Sequence, residues 1–169
     1  LKYGESALQE MFLKEFEIRW SDLDANRHLA NISYITYAGE VRMAFLQSLG
    51  LTHQRLTSLG IGPVVFDEHL FYFKEALPDQ KISVSTVLAG MSKNGTFFEF
   101  EHNFYDKQGL NIARCEMMGG WMNLKTRKLA EIPEELITRF NETNKTLNYK
   151  ELTNKDTRRW NKTPKNLTL

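Results

Sequence analysis

The stretch SDLDANRHLANISYITY, residues 21–37, sets Ser21, Asp22, Asp24, Asn26 and Asn31 directly ahead of an apolar run. All five are turn-forming or helix-capping residues. From Ile32 to Leu49 the positions Ile35, Ala38, Val41, Phe45 and Leu49 recur at helical spacing, with Tyr34, Tyr37, Ala44 and Leu46 beside them. That predicts a long helix with one broad apolar face, closed by Gly50. Upstream, Phe16, Ile18 and Trp20 alternate with Glu15, Glu17 and Arg19, the period of a half-buried strand. The quoted stretch is therefore a strand-to-helix connection.

Beyond Gly50 a short helical segment is expected within residues 52–60, and a series of strands follows. GIGPVVFDEHLFYFKEAL (60–77) is rich in Val and Phe, KISVSTVL (81–88) and FFEFEHNFY (97–105) alternate, and residues 110–123 form a last long strand. DKQG (106–109) reads as a hairpin turn, and Pro133-Glu134-Glu135 as the start of a short helix. Residues 1–11 read as a loose lead-in and 141–169 as a polar surface segment, partly disordered. A long helix among mostly antiparallel strands must bury its apolar face on a curved sheet, which makes the chain α+β.

Composition bounds the partners. The chain has 169 residues, 41% of them hydrophobic, enough for one domain with a core. A net charge of +1 from 22 basic and 21 acidic residues gives no bulk attraction to nucleic acid or membrane. The N-terminal LKYGESALQE carries no apolar signal region and no run is long enough to span a bilayer. Cys115 has no second cysteine to pair with, so a reducing, cytoplasmic setting is expected. It falls in an alternating strand and reads as core. His53, His69 and His102 lack ligand spacing, so no metal is expected.

Two readings of the polar loop stay open on residue chemistry alone. In one, Asn31 caps the helix and the aspartates hold loop amides. In the other, the unpaired amides and positive end of the helix stabilise an oxyanion beside a fixed carboxylate, as hydrolysis of an activated carbonyl requires.

The segment Asp22-Leu-Asp-Ala-Asn-Arg-His-Leu-Ala-Asn-Ile-Ser-Tyr34 resembles the D-x-D-x-x-x-H-x-x-N-x-x-Y signature of hotdog acyl thioesterases of the 4-hydroxybenzoyl-CoA and acyl-carrier-protein types. WMNLKTRKLAEIPEEL (121–136) is similar to the same family's closing motif, so the resemblance covers most of residues 12–140. It implies a hotdog domain over 12–140, one long central helix wrapped by a curved, mostly antiparallel sheet, with 141–169 as an appended segment. It further implies cofactor-free hydrolysis of an acyl-CoA or acyl-carrier thioester by a homodimer or homotetramer. By motif position Asp24 is the nucleophile or general base, the amide near Asn31 polarises the carbonyl, and His28 orients Asp24 or its loop. Asp22 is then a structural acceptor. Tyr34, on the helix, is expected in the pocket or core, Glu68 at the pocket or in solvent, and Lys93, with Lys74 and Arg127, on a carrier phosphate. The helix departs from many relatives, which carry Glu-x-x-Arg where this chain has Gly39, Glu40, Val41 and Arg42. The His followed by F-P-x-x-P-x-x-P-G that marks hotdog dehydratases is absent. The rival expectation is an acyl-binding or assembly module in which Asp24 only ties down the loop.

Overall fold

The computed structural model describes residues 11–168; most of the expected lead-in lies outside them. The element order is β1 (Phe12–Glu17), α1 (Asn31–Ser48), α2 (His53–Leu59), β2 (Ile61–Tyr72), β3 (Lys81–Ser92), β4 (Phe97–Tyr105), β5 (Asn111–Asn123), α3 (Glu134–Asn141) and β6 (Lys145–Leu152). The six strands form one sheet in the order β1-β3-β4-β5-β2, antiparallel throughout, with β6 added parallel to β3. The chain is α+β, with α1 the longest helix at 18 residues. No helix among the described residues is long and apolar enough to cross a membrane.

Period-two alternation sorts the sheet residues onto two faces. Ile82, Val84 and Leu88 of β3, Phe98, Phe100 and Phe104 of β4, and Ala113, Cys115 and Met117 of β5 are buried. They pack against Tyr34, Tyr37, Ala38, Val41, Phe45 and Leu46 of α1. Near the start of α1 the Phe16 ring stacks on Tyr37 at 4.5 Å; toward its end Phe45 meets Phe100 and Phe140 of α3. The core thus runs the length of α1 and fixes the helix by its whole inner face.

Several local expectations shift by a residue or more. Trp20 leaves the strand pattern, standing 84% exposed on a 3-10 turn (Trp20–Asp22). Asn31 is the first residue of α1 rather than its cap; Ala30 holds the cap position in extended conformation and makes no side-chain bond. Ile35 lies outside the buried face at 37% exposure. Gly50 ends the helix at φ 86, and its amide donates to the Gln47 carbonyl. The expected hairpin is held by Asp106, whose Oδ1 accepts the Gln108 and Leu110 amides at 3.0 Å, with Gly109 at φ 79. The C-terminal segment is polar and largely exposed, yet it contributes β6, a strand that no pattern in KTLNYKEL announces. The pairing register of β6 jumps from Leu88↔Lys145 to Gly90↔Lys150, so residues 146–149 bow out of the ladder.

Arg42 and His102 are among the polar residues buried in the interior. Arg42 of α1 donates from Nη2 to Glu68 Oε1 of β2 at 2.8 Å, with only 8% of its side chain exposed. His102 of β4 is fully buried, its Nδ1 3.1 Å from Thr86 Oγ1 and 3.2 Å from the Ser85 carbonyl oxygen. Burial, then the Arg42 charge, hold its pKa down at about 3, so it is a neutral core residue. Burial likewise pushes the Cys115 thiol up to about 12, with the Glu68 charge adding to it. It is inert at neutral pH.

Candidate active site

Residues 23–29 form a tight loop closed by a Leu23↔Leu29 bridge. The Asp24 amide donates to the His28 carbonyl at 2.9 Å, the Arg27 amide returns to the Asp24 carbonyl at 3.0 Å, and Arg27 turns the corner at φ 59. Asp24 Oδ1 accepts the Asn26 amide at 2.8 Å and the His28 amide at 3.2 Å. Among the described residues no group donates to its Oδ2. One carboxylate oxygen therefore holds the loop while the other is left for chemistry.

Asp22 does the anchoring. It is buried, and its carboxylate accepts the Arg19 amide at 2.9 Å, Arg19 Nε and Nη2 at 3.1 Å, and the Tyr37 hydroxyl at 2.6 Å. Burial alone raises a carboxyl pKa, but these donors outweigh it and hold Asp22 below its ordinary 3.8. Its carbonyl accepts the Ala30 amide at 2.8 Å and Ser33 Oγ at 2.9 Å, tying the loop to the first turn of α1. The Leu29 amide bonds the Ala76 carbonyl at 2.8 Å, which fastens the loop to the β2–β3 connection. Helix geometry leaves the first amides of α1, at Asn31 and Ile32, without intrahelical acceptors.

These contacts surround a cavity of about 410 Å³ lined by Asp24, His28, Asn31 and Tyr34 together with Tyr72, Phe73, Lys74 and Glu75. Four of the six residues singled out from sequence thus meet in one place. Tyr34 is 3% exposed and meets Tyr72 and Phe104 edge-on, each at 5.2 Å. Burial first, then the Tyr72 and Asp24 charges, raise its phenol to about 12. It stays protonated and able to donate. His28 turns its Nε2 to Glu75 Oε2 at 2.9 Å, and reaches Asp24 through its backbone. Glu68 and Lys93 are elsewhere. Glu68 is bound to Arg42, and Lys93 lines a separate hollow of about 610 Å³ with Asn94, Glu151 and Asn154. The cation in the Asp24 cavity is Lys74, 3.8 Å from Asp106.

Tyr72, Lys74 and Glu75 carry no motif, and the signal available for them was the end of the β2 pattern, FYFKEA, where a strand runs out. A larger hollow of about 600 Å³ lies on the opposite face of the sheet under β6 and contains none of the motif residues. Among the described residues no three His, Cys, Asp or Glu side chains cluster as metal ligands.

A family model described as the thioesterase-like superfamily matches residues 18–140. No curated protein matches the chain. Among solved structures it resembles a hypothetical Staphylococcus aureus protein in complex with CoA, at 18% identity and TM-score 0.77, over 85% of this chain and 92% of that one. A putative oleoyl thioesterase from Lactobacillus plantarum aligns at 18% identity and TM-score 0.73, over 86% of this chain and 54% of that longer one. A 1,4-dihydroxy-2-naphthoyl-CoA thioesterase from Synechocystis aligns at 17% identity and TM-score 0.69, over 79% and 97%. At these identities the likeness is one of fold.

Proposed function

The chain belongs to the thioesterase-like superfamily, and from that premise we propose that it hydrolyses an acyl-CoA thioester, using Asp24 as general base or nucleophile. The observation that carries the reading is the shared cavity in which the Asp24 carboxylate lies beside the N-terminus of α1. As base, Asp24 takes a proton from water as its oxygen attacks the carbonyl carbon. The oxyanion that forms is held by the amides at Asn31 and Ile32 and by the positive end of the helix. Tyr34 lines the acyl side of the cavity, where Tyr72 and Phe73 add apolar wall. The 18-residue α1 is read as the central helix of a hotdog domain over 12–140, to which 141–169 is appended. CoA is favoured as carrier by the CoA compounds named in the matching structures.

The rival module that merely binds acyl groups draws on the two loop amides that Asp24 Oδ1 accepts. Release of free thiol from a panel of acyl-CoA and acyl-carrier substrates separates the two. Turnover of at least one member is expected; binding without thiol release across the panel replaces the hydrolase with the module.

The cavity also argues for assembly. β2 ends the sheet order, is 12 residues long and exposes Val65, Phe66, Phe71 and Tyr72, with Phe73 just beyond it. An exposed edge of that length carrying large apolar side chains invites pairing with another strand. Because Tyr72 and Phe73 belong both to that edge and to the cavity wall, a second subunit would complete the pocket. Sedimentation is expected to give a homodimer or homotetramer; a fully active monomer at low concentration would remove this part of the reading.

A further inference from the structure

We propose that the seam between α1 and β2 takes the acyl chain, that Gly39 keeps it open, and that the Arg42–Glu68 pair is its floor, so that straight chains of about eight to ten carbons are selected. The inference rests on the thioesterase reading and adds to it the class of acyl group.

Two bridges of long side chains fix the seam. Tyr34 of α1 meets Tyr72 of β2 at 5.2 Å between ring centres, and Arg42 Nη2 donates to Glu68 Oε1 at 2.8 Å. On α1 the bridges are eight residues apart, about 12 Å of rise; on β2 they are four residues apart, about 13 Å. The two spans match, so the seam has a definite depth. Its mouth is the Asp24 cavity, which Tyr34 and Tyr72 both line.

The residues between the bridges are apolar and leave room. Residues four apart stack along a helix, so Tyr34, Ala38 and Arg42 form one row, and Asn31, Ile35 and Gly39 form the next, about 60° further from the core. Asn31 lines the Asp24 cavity and Ile35 is partly exposed. A Cβ placed on Gly39 would meet nothing within 4 Å. On β2, Leu70 stands between Tyr72 and Glu68 and packs on the core. Glycine is a poor helix former, and at Gly39 neither a positive φ nor a close neighbour asks for one. At Gly119 and Gly120, by contrast, a Cβ would press on the backbone oxygens of Val64 and Thr96. The open position belongs to the row that begins at Asn31, where the thioester carbonyl is held, so the acyl chain is the group tethered at the mouth.

The far end is closed. Only 8% of the Arg42 side chain is exposed, its Nε has no partner among the described residues, and Leu46, next in its row, is fully buried. A methyl end driven past this point would have to part a desolvated ion pair. With carbon–carbon bonds of ~1.5 Å at the tetrahedral angle, an extended chain advances about 1.3 Å per carbon, and the seam is filled by about eight to ten.

The test is kcat/KM for thiol release across straight chains from acetyl-CoA to palmitoyl-CoA, together with calorimetric Kd values for the unhydrolysable thioethers S-ethyl-CoA and S-octyl-CoA. In wild type each added methylene is expected to raise kcat/KM up to about fourfold until the seam is full, and to lower it beyond. Gly39→Leu and Ile35→Phe fill the outer row, and each is expected to cut the octanoyl-to-acetyl ratio at least ~10-fold. Gly39→Leu gains helix propensity, so its Tm should not fall. Arg42→Met with Glu68→Leu makes the floor apolar and should move the optimum to longer chains. A flat profile, or a ratio unchanged in both filling variants, overturns the inference while leaving Asp24 hydrolysis intact; an optimum that stays put in the double variant removes the floor. The thioethers need no turnover: S-octyl-CoA is expected to bind at least ~10-fold tighter than S-ethyl-CoA in wild type, and to lose that advantage in Gly39→Leu. Equal binding in wild type overturns the inference and leaves the seam to a second copy of the chain. Chain-dependent binding with no thiol release from any acyl-CoA supports the seam and overturns the parent reading instead.

Discussion

Asp24→Asn is expected to lower turnover at least ~10²-fold while leaving the melting temperature and ligand affinity close to wild type. The amide keeps an acceptor oxygen for the Asn26 and His28 amides, so the loop retains its shape. What disappears is the charge and basicity of the second oxygen. Asp22→Asn works the other way. Its carboxylate holds the Arg19 guanidinium and the Tyr37 hydroxyl, and the neutral amide replaces charge-assisted bonds at a cost on the order of 1–2 kcal/mol. Because the folded pKa of Asp22 lies below 3.8, that stabilisation is fully present above about pH 4 and is lost as pH falls through the folded value. The stability gap between wild type and Asp22→Asn is therefore constant near neutrality and closes in acid, as urea midpoints taken against pH would report. Wild-type turnover in Asp24→Asn ends the catalytic assignment; equal losses of activity in both variants, tracking melting temperature, return the loop to a purely structural role.

Glu68→Ala is expected to cost about 3 kcal/mol, because it strands the Arg42 guanidinium in the core at 8% exposure. For a domain of this size that lowers Tm by roughly 6–12 °C in a thermal melt. Arg42 Nε already lacks a partner among the described residues, so the site has no spare acceptor to take over. Removing both charges, as in Arg42→Met with Glu68→Leu, should recover most of the loss, since two apolar side chains need no desolvated partner. A single variant as stable as wild type would show that water reaches the guanidinium.

The helix and the loop before it were legible because their signals are local: apolar spacing over 32–49, turn residues over 21–31, and a motif that places Asp24, His28, Asn31 and Tyr34 within thirteen residues. Of the four strands between the helices, three were legible by alternation and β2 by its Val and Phe content. What stayed hidden depends on contacts distant in sequence. Glu75 is 47 residues from His28, and Glu68 meets Arg42 across 26 residues, from a strand whose pairing is shifted by a bulge between Val65 and Asp67. A carboxylate in an alternating strand looks the same whether it faces water or a buried arginine. Lys93 was an attractive cation on composition, but the chain folds it onto the β3–β4 turn, away from Asp24. The β6 pairing was invisible for the same reason: its residues are polar and its partner is a strand more than fifty residues away.

The two margins of the sheet are unequal, and that inequality sets how far association can run. On one side β3 is covered by β1 along Lys81–Thr86 and by β6 along Leu88–Ser92. β1 is six residues long and carries Lys14, Glu15 and Glu17, while the bowed β6 offers a broken row of amides. Both are poor templates for a further strand. On the other side β2 is 12 residues long and exposes Val65, Phe66, Phe71 and Tyr72, with Asp67, Glu68 and His69 between them. A body with a single adhesive margin can accept one neighbour through that margin, and a copy of itself uses the same margin in return. In the proposed assembly, growth by strand addition would stop at the pair, and the exposed edge that would seed fibres in a two-sided sheet would be a self-limiting joint.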